Sequence, residues 1–146
     1  MFLLVSISTA CSPKKTPTLE EQFKKIMVEN NITFDSVWHF EVKDNVVIIF
    51  YEKEQTLNVG FIKNNQSKWE WITGSGSIDL QEGGYIATAE MRLPFYITAV
   101  VKPNENVQGI SVQGEYAKLV QINPKDKVWF AFTNRPANGN DIKEIK

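Results

Sequence analysis

The sequence is poor in the residues that most often carry chemistry. Cys11 is the only cysteine and His39 the only histidine among its 146 residues. A lone cysteine excludes an intrachain disulfide, so packing alone must hold the fold. A lone histidine excludes metal centres built on several histidines, and the duplicate histidines usual in phosphoryl and hydrolytic chemistry. An excess of one charge is also missing: sixteen basic side chains stand against seventeen acidic ones, a formal net charge of -1. No overall field therefore draws the chain to DNA, RNA or an anionic lipid surface, and no nucleic-acid partner is expected. Nor does any stretch approach the roughly 20 apolar residues that a membrane-crossing helix needs. The length suits one ordinary domain that buries a core without metals or disulfides.

What the chain does have begins at its first residues. Met1 to Ala10 carries no charged side chain and passes from apolar residues into Ser8-Thr9-Ala10, small side chains that a signal-peptidase cleft admits just before Cys11. Residues 1–10 read as a signal-like segment. Residues 11–17, small, polar and proline-containing, read as a tether, and residues 18–146 as a single β-rich domain with an N-terminal helix. The start resembles the lipobox of bacterial lipoproteins, in which the cysteine sulfur takes a diacylglycerol and becomes part of the first mature residue. Ser8 stands where that pattern prefers a larger aliphatic side chain. Only the terminal amine supplies the usual basic start, which leaves open a natural signal that begins upstream of Met1. The resemblance implies lipidation of Cys11, a membrane reached through the lipid anchor, and a location on the outer face of a bacterial cytoplasmic membrane. Each buried methylene adds about 0.8 kcal/mol, so two acyl chains hold a protein far better than one. The alternative is a cytosolic protein with an apolar tail and an ordinary thiol at Cys11.

Beyond the tether, Thr18 and Glu21 have the spacing of a reciprocal capping box. Leu19, Phe23, Ile26 and Met27 recur at helical intervals and predict a helix that packs on a sheet and ends at Asn30-Asn31. After Thr33 the period becomes two: Trp38, Phe40 and Val42 are expected on one face of a strand, with His39, Glu41 and Lys43 on the other. Val46 to Tyr51 is an unbroken apolar run suited to the middle of a sheet. Leu57 to Phe61 and Lys68 to Thr73 continue an antiparallel meander, with Trp69 and Trp71 on one face and Glu70 on the other. Gly74-Ser75-Gly76 and Gly83-Gly84 read as bends around a weak segment at Ile78 and Leu80. Candidate strands follow at Tyr85 to Leu93, Pro94 to Lys102, Val107 to Val112, Glu115 to Ile122 and Lys127 to Thr133, with Ile142 and Ile145 able to add a brief edge strand. The fold class is mainly β, an antiparallel β-sandwich or partly open barrel with one N-terminal helix.

No catalytic constellation emerges, and no cofactor or metal is expected. His39 beside Glu41 reads as a surface residue. Asp79 with Glu82, or Glu52 with Glu54, lacks the dense Asp-Asn-Gly context of a calcium loop and reads as solvated charge. Gly74-Ser75-Gly76 lacks the strand-loop-helix setting of a phosphate-binding loop. The sequons at Asn31 and Asn65 carry no weight under bacterial export. Aromatics give the one binding hint: Trp38 and Trp129 sit within regular apolar strands, whereas Trp69, Trp71 and Ser75 form a candidate ligand-binding rim, weighed against core packing of the same tryptophans.

The later segments Phe95 to Val100, Val112 to Val120 and Val128 to Phe132 resemble small uncharacterised lipoproteins of low-GC Gram-positive bacteria of Bacillus-like type. That resemblance implies a membrane-tethered extracytoplasmic β domain and supplies no reaction. The functional expectation is a non-enzymatic lipoprotein that binds a protein or a glycan of the cell envelope, its oligomeric state open. Two alternatives stay beside it. One is a small hydrolase or carbohydrate-processing enzyme, in which Asp79, Glu82, Glu90 or His39 would converge; the other is a structural assembly component.

Overall fold

The computed structural model describes residues 15–89, 91–104 and 106–146. The signal-like segment, Cys11 and the first part of the tether lie outside these residues, as does Glu90. Helix α1, Leu19–Glu29, starts where the sequence predicts. The Glu21 amide donates to Thr18 Oγ1 at 3.2 Å, and the Thr18 amide donates to the Glu21 carboxylate at 2.7 Å. The helix closes at Asn30, whose side-chain amide donates to the Ile26 carbonyl at 2.8 Å. Phe23 and Met27 are buried, but Leu19 is 60% exposed, a correction to the expected stripe. Helical side chains lean toward the N-terminus, so a leucine in the first turn leans away from the body of the helix and the surface it covers.

The first half of the chain folds into one meander. Strands β1 (Ser36–Lys43), β2 (Val46–Lys53), β3 (Thr56–Asn65) and β4 (Lys68–Asp79) form an antiparallel sheet in that order. Residues 46–51 of β2 are all buried, as an uninterrupted apolar run in a sheet covered on both faces should be. A second sheet has the order β5 (Gly84–Ala87), β6 (Tyr96–Val101), β10 (Lys127–Thr133), β9 (Lys118–Gln121). A third and smaller sheet has the order β11 (Ile142–Ile145), β7 (Gly109–Val112), β8 (Glu115–Tyr116).

Three apolar clusters join four layers. Phe23 and Met27 of α1 pack on Val47, Ile49 and Ile62 of the first sheet. Val46, Ile48, Phe50, Val59 and Phe61 point the opposite way and meet Ile97, Ala99, Val101 and Phe130 of the second sheet. The outer face of that second sheet meets the third through Val100, Ala131, Ile110 and Val112. The molecule is mainly β, with antiparallel sheets packed face to face and a single α-helix among the described residues. The second half of the chain thus builds two sheets.

Four strand expectations need correction, each for a physical reason. β1 carries a bulge between Val37 and His39 that leaves Trp38 without a cross-strand partner. The extra residue resets the alternation: Trp38 packs toward the second sheet, Phe40 packs toward the helix, and His39 sits 5.9 Å from the Phe50 ring. Gly74-Ser75-Gly76 is no bend but part of β4, paired through Gly74 with Gly60. The segment from Tyr85 leaves the sheet after Ala87, and Met91 and Leu93 fold back from a loop onto the core. Glu115 to Ile122 is broken at Ala117, because β8 pairs with the third sheet and β9 with the second.

Candidate functional site

The expected rim of Trp69, Trp71 and Ser75 is divided by the fold. Both indoles lie on the helix-facing side of β4, as their i, i+2 spacing requires. The Trp69 ring meets Phe23 edge-on, with ring centroids 5.2 Å apart, and so fastens α1 to the sheet. Trp71 lies across Gly60 so closely that a Cβ on that glycine would stand 2.2 Å from the indole. The indole therefore fills the place of the missing side chain on β3. Ser75 is half-buried in β4 and its hydroxyl donates to the Gly76 carbonyl at 3.1 Å. These three residues do not converge on one ligand.

Trp71 nevertheless borders an open cleft of about 670 Å³. The cleft forms where β3 and β4 run on toward their hairpin and the loop between β5 and β6 folds beside them. Lys63, Glu70 and Thr73 come from the strands, and Met91 and Arg92 from the loop. Lys63 stands opposite Glu70 in the cross-strand register, and the Glu70 carboxylate meets the Lys68 ammonium at 3.2 Å. Arg92 holds a left-handed backbone, φ 57°, in the loop that forms the opposite wall. Two cations from separate elements thus face one recess with the Glu70 carboxylate, a hydroxyl, an amide from Asn65 and an indole. Such a set suits a ligand with a carboxylate or phosphate beside an apolar part. Lys63 reads in the sequence as the start of a polar run and Arg92 as part of a strand, so nothing in local pattern announces their meeting.

His39 belongs to a different cluster. Its Nε2 lies 3.3 Å from Glu41, and Lys118 of β9 donates to the other oxygen of the same carboxylate at 2.5 Å. This links β1 and β9, each an edge strand of its own sheet. The Glu41 side chain is 16% exposed. Burial raises its pKa, but the bonds and charges of Lys118 and His39 outweigh that and hold the carboxyl below its ordinary value. The arrangement is an inter-sheet clasp.

The remaining carboxylates do not join His39. Asp79 Oδ1 accepts the amides of Gln81 and Glu82 at 2.7 and 2.9 Å, which fixes the turn after β4 and lowers the Asp79 pKa. β4 and β1 are opposite edges of a four-stranded sheet, a separation of about 14 Å at ordinary strand spacing. Glu52 accepts from the Ser36 hydroxyl at 3.3 Å, while the Glu54 amide donates to Asp35 at 2.7 Å. Among the described residues no three of His, Cys, Asp and Glu gather as a metal-binding group.

Comparison with protein-family models, with curated proteins and with solved structures gives no match to this chain.

Proposed function

We propose that the protein is a membrane-anchored extracytoplasmic lipoprotein whose β body binds a protein or cell-envelope ligand in the cleft lined by Lys63, Thr73, Met91 and Arg92. The observation that carries the reading is that cleft, in which cations from β3 and from the β5–β6 loop face one recess. The lipobox-like sequence before Cys11 supports the anchor. Pro17, just before α1, lines one recess with Ser67, Lys68 and Trp69 of the β3–β4 hairpin, and that hairpin end also borders the cleft; a tether upstream of Pro17 would join the body there. A chain from Cys11 to Pro17 reaches roughly 20 Å at full extension. An anchored body therefore keeps the cleft close to the membrane surface, within reach of headgroup-proximal or envelope-bound anions.

The test is equilibrium binding of the purified protein to isolated envelope fractions, compared with a Lys63→Gln/Arg92→Gln variant. Binding reduced at least tenfold by the double change is the expected result. Binding that ignores it overturns the assignment of the cleft.

A further inference from the structure

We infer a second ligand site on the outer face of the second sheet, a groove floored by Trp129 that takes an acidic saccharide. Trp129 lies in β10 between Val100 of β6 and Leu119 of β9 in the cross-strand register. The third sheet covers Val100 and Ala131, but Leu119 remains 45% exposed, so cover thins out over the β9 side of Trp129. There a recess of about 350 Å³ runs between the β6–β7 connection and the β9–β10 hairpin. Trp129, Leu119 and Val107 provide its apolar surface, and its polar rim sets Asn106, Gln108, Lys125 and Lys127 beside one carboxylate, Asp126.

Hydrogen bonds anchor Asn104 in one wall and the Asn123 to Asp126 turn in the other. On one side, Glu144 of β11 accepts the Asn104 backbone amide at 3.0 Å and its side-chain amide at 2.7 Å. On the other, Asn123 Oδ1 accepts the amides of Lys125 and Asp126, each at 2.8 Å, while its Nδ2 donates to the Asp126 carboxylate at 2.8 Å. Neither Lys125 nor Lys127 forms an ion pair with a described residue. A groove whose walls are fixed binds with less ordering cost.

The combination selects the ligand class. Trp129 packs in part against the third sheet, and where its indole borders the recess it offers apolar contact to a pyranose ring; carboxamides match hydroxyl groups in both donor and acceptor sense, and the rim lysines, which outnumber the Asp126 carboxylate, match carboxylate or sulfate substituents. A polynucleotide also stacks on aromatics, but it needs a cationic track along its backbone, and the chain as a whole carries a net charge of -1. The site is separate from the cleft at β3–β4 and does not depend on the anchor.

Titration of the purified full chain with hexagalacturonate, a sulfated hexasaccharide and neutral maltohexaose, followed by tryptophan fluorescence, tests the inference. An acidic probe binding at least tenfold tighter than maltohexaose is expected, with the preference shrinking in high salt. Trp129→Ala should abolish the response. Because that change also removes packing, Lys125→Gln/Lys127→Gln provides the second arm: it keeps the indole and should erase the preference for the acidic probe. No binding of either acidic probe up to millimolar concentration, or binding that both variants leave unchanged, overturns the site.

Discussion

At Gly60 the absence of a side chain is a packing requirement. A methyl group there would stand 2.2 Å from the Trp71 indole, far inside van der Waals contact, so backbone or ring must shift. We expect Gly60→Ala to destabilise the protein by about 1–3 kcal/mol, the usual cost of overpacking, read from the denaturant midpoint. In a Trp71→Leu background the same change should cost clearly less, and equal costs in both backgrounds would show that the clash is not the cause. Glu41 supports a second expectation. Lys118 and His39 hold its carboxyl below the ordinary 4.5 in the folded protein, against the opposing effect of burial. The unfolded chain then binds the proton more readily, so the stabilising contribution is complete above about pH 4.5 and is lost as pH falls through the lower folded value. Stability measured from pH 7 down to pH 3 should decline below 4.5, and the decline should be shallower in Glu41→Gln.

Among the elements, the hairpins of the first sheet carry avoidable backbone strain. Glu54-Gln55 and Gln66-Ser67 each form a two-residue turn with both residues at positive φ, between 49° and 74°. Asn-Gly satisfies that conformation with less strain. Glu54→Asn/Gln55→Gly should therefore raise the thermal midpoint, by the equivalent of about 1 kcal/mol; a lowered midpoint would contradict the turn geometry. These turns also show how far the sequence can be read. Helix α1 and strand β2 are legible because capping chemistry and an apolar run act locally. The Trp38 bulge, the break at Ala117 and the continuation of β4 through Gly74-Ser75-Gly76 are not, since each depends on a partner strand distant in the chain. The candidate site divides in the same way. Trp71 stands out by residue type, whereas Lys63 and Arg92 meet only after the loop between β5 and β6 has folded onto the first sheet.

For the molecule as a whole, the two proposed sites fall at one end of the four stacked layers and on one outer face. The β3–β4 end, beside which α1 begins, holds the cleft with Lys63 and Arg92. The Trp129 groove occupies the outer face of the second sheet. On the proposed reading, a lipid anchor upstream of Pro17 would keep the first of these near a membrane. Intact-mass analysis of the cell-associated protein measures this most directly. The account predicts a mature chain beginning at Cys11 and carrying a diacylglycerol on its sulfur, recovered with the membrane. An unprocessed chain in the cytosol, with Met1 in place and the Cys11 thiol free, would contradict it.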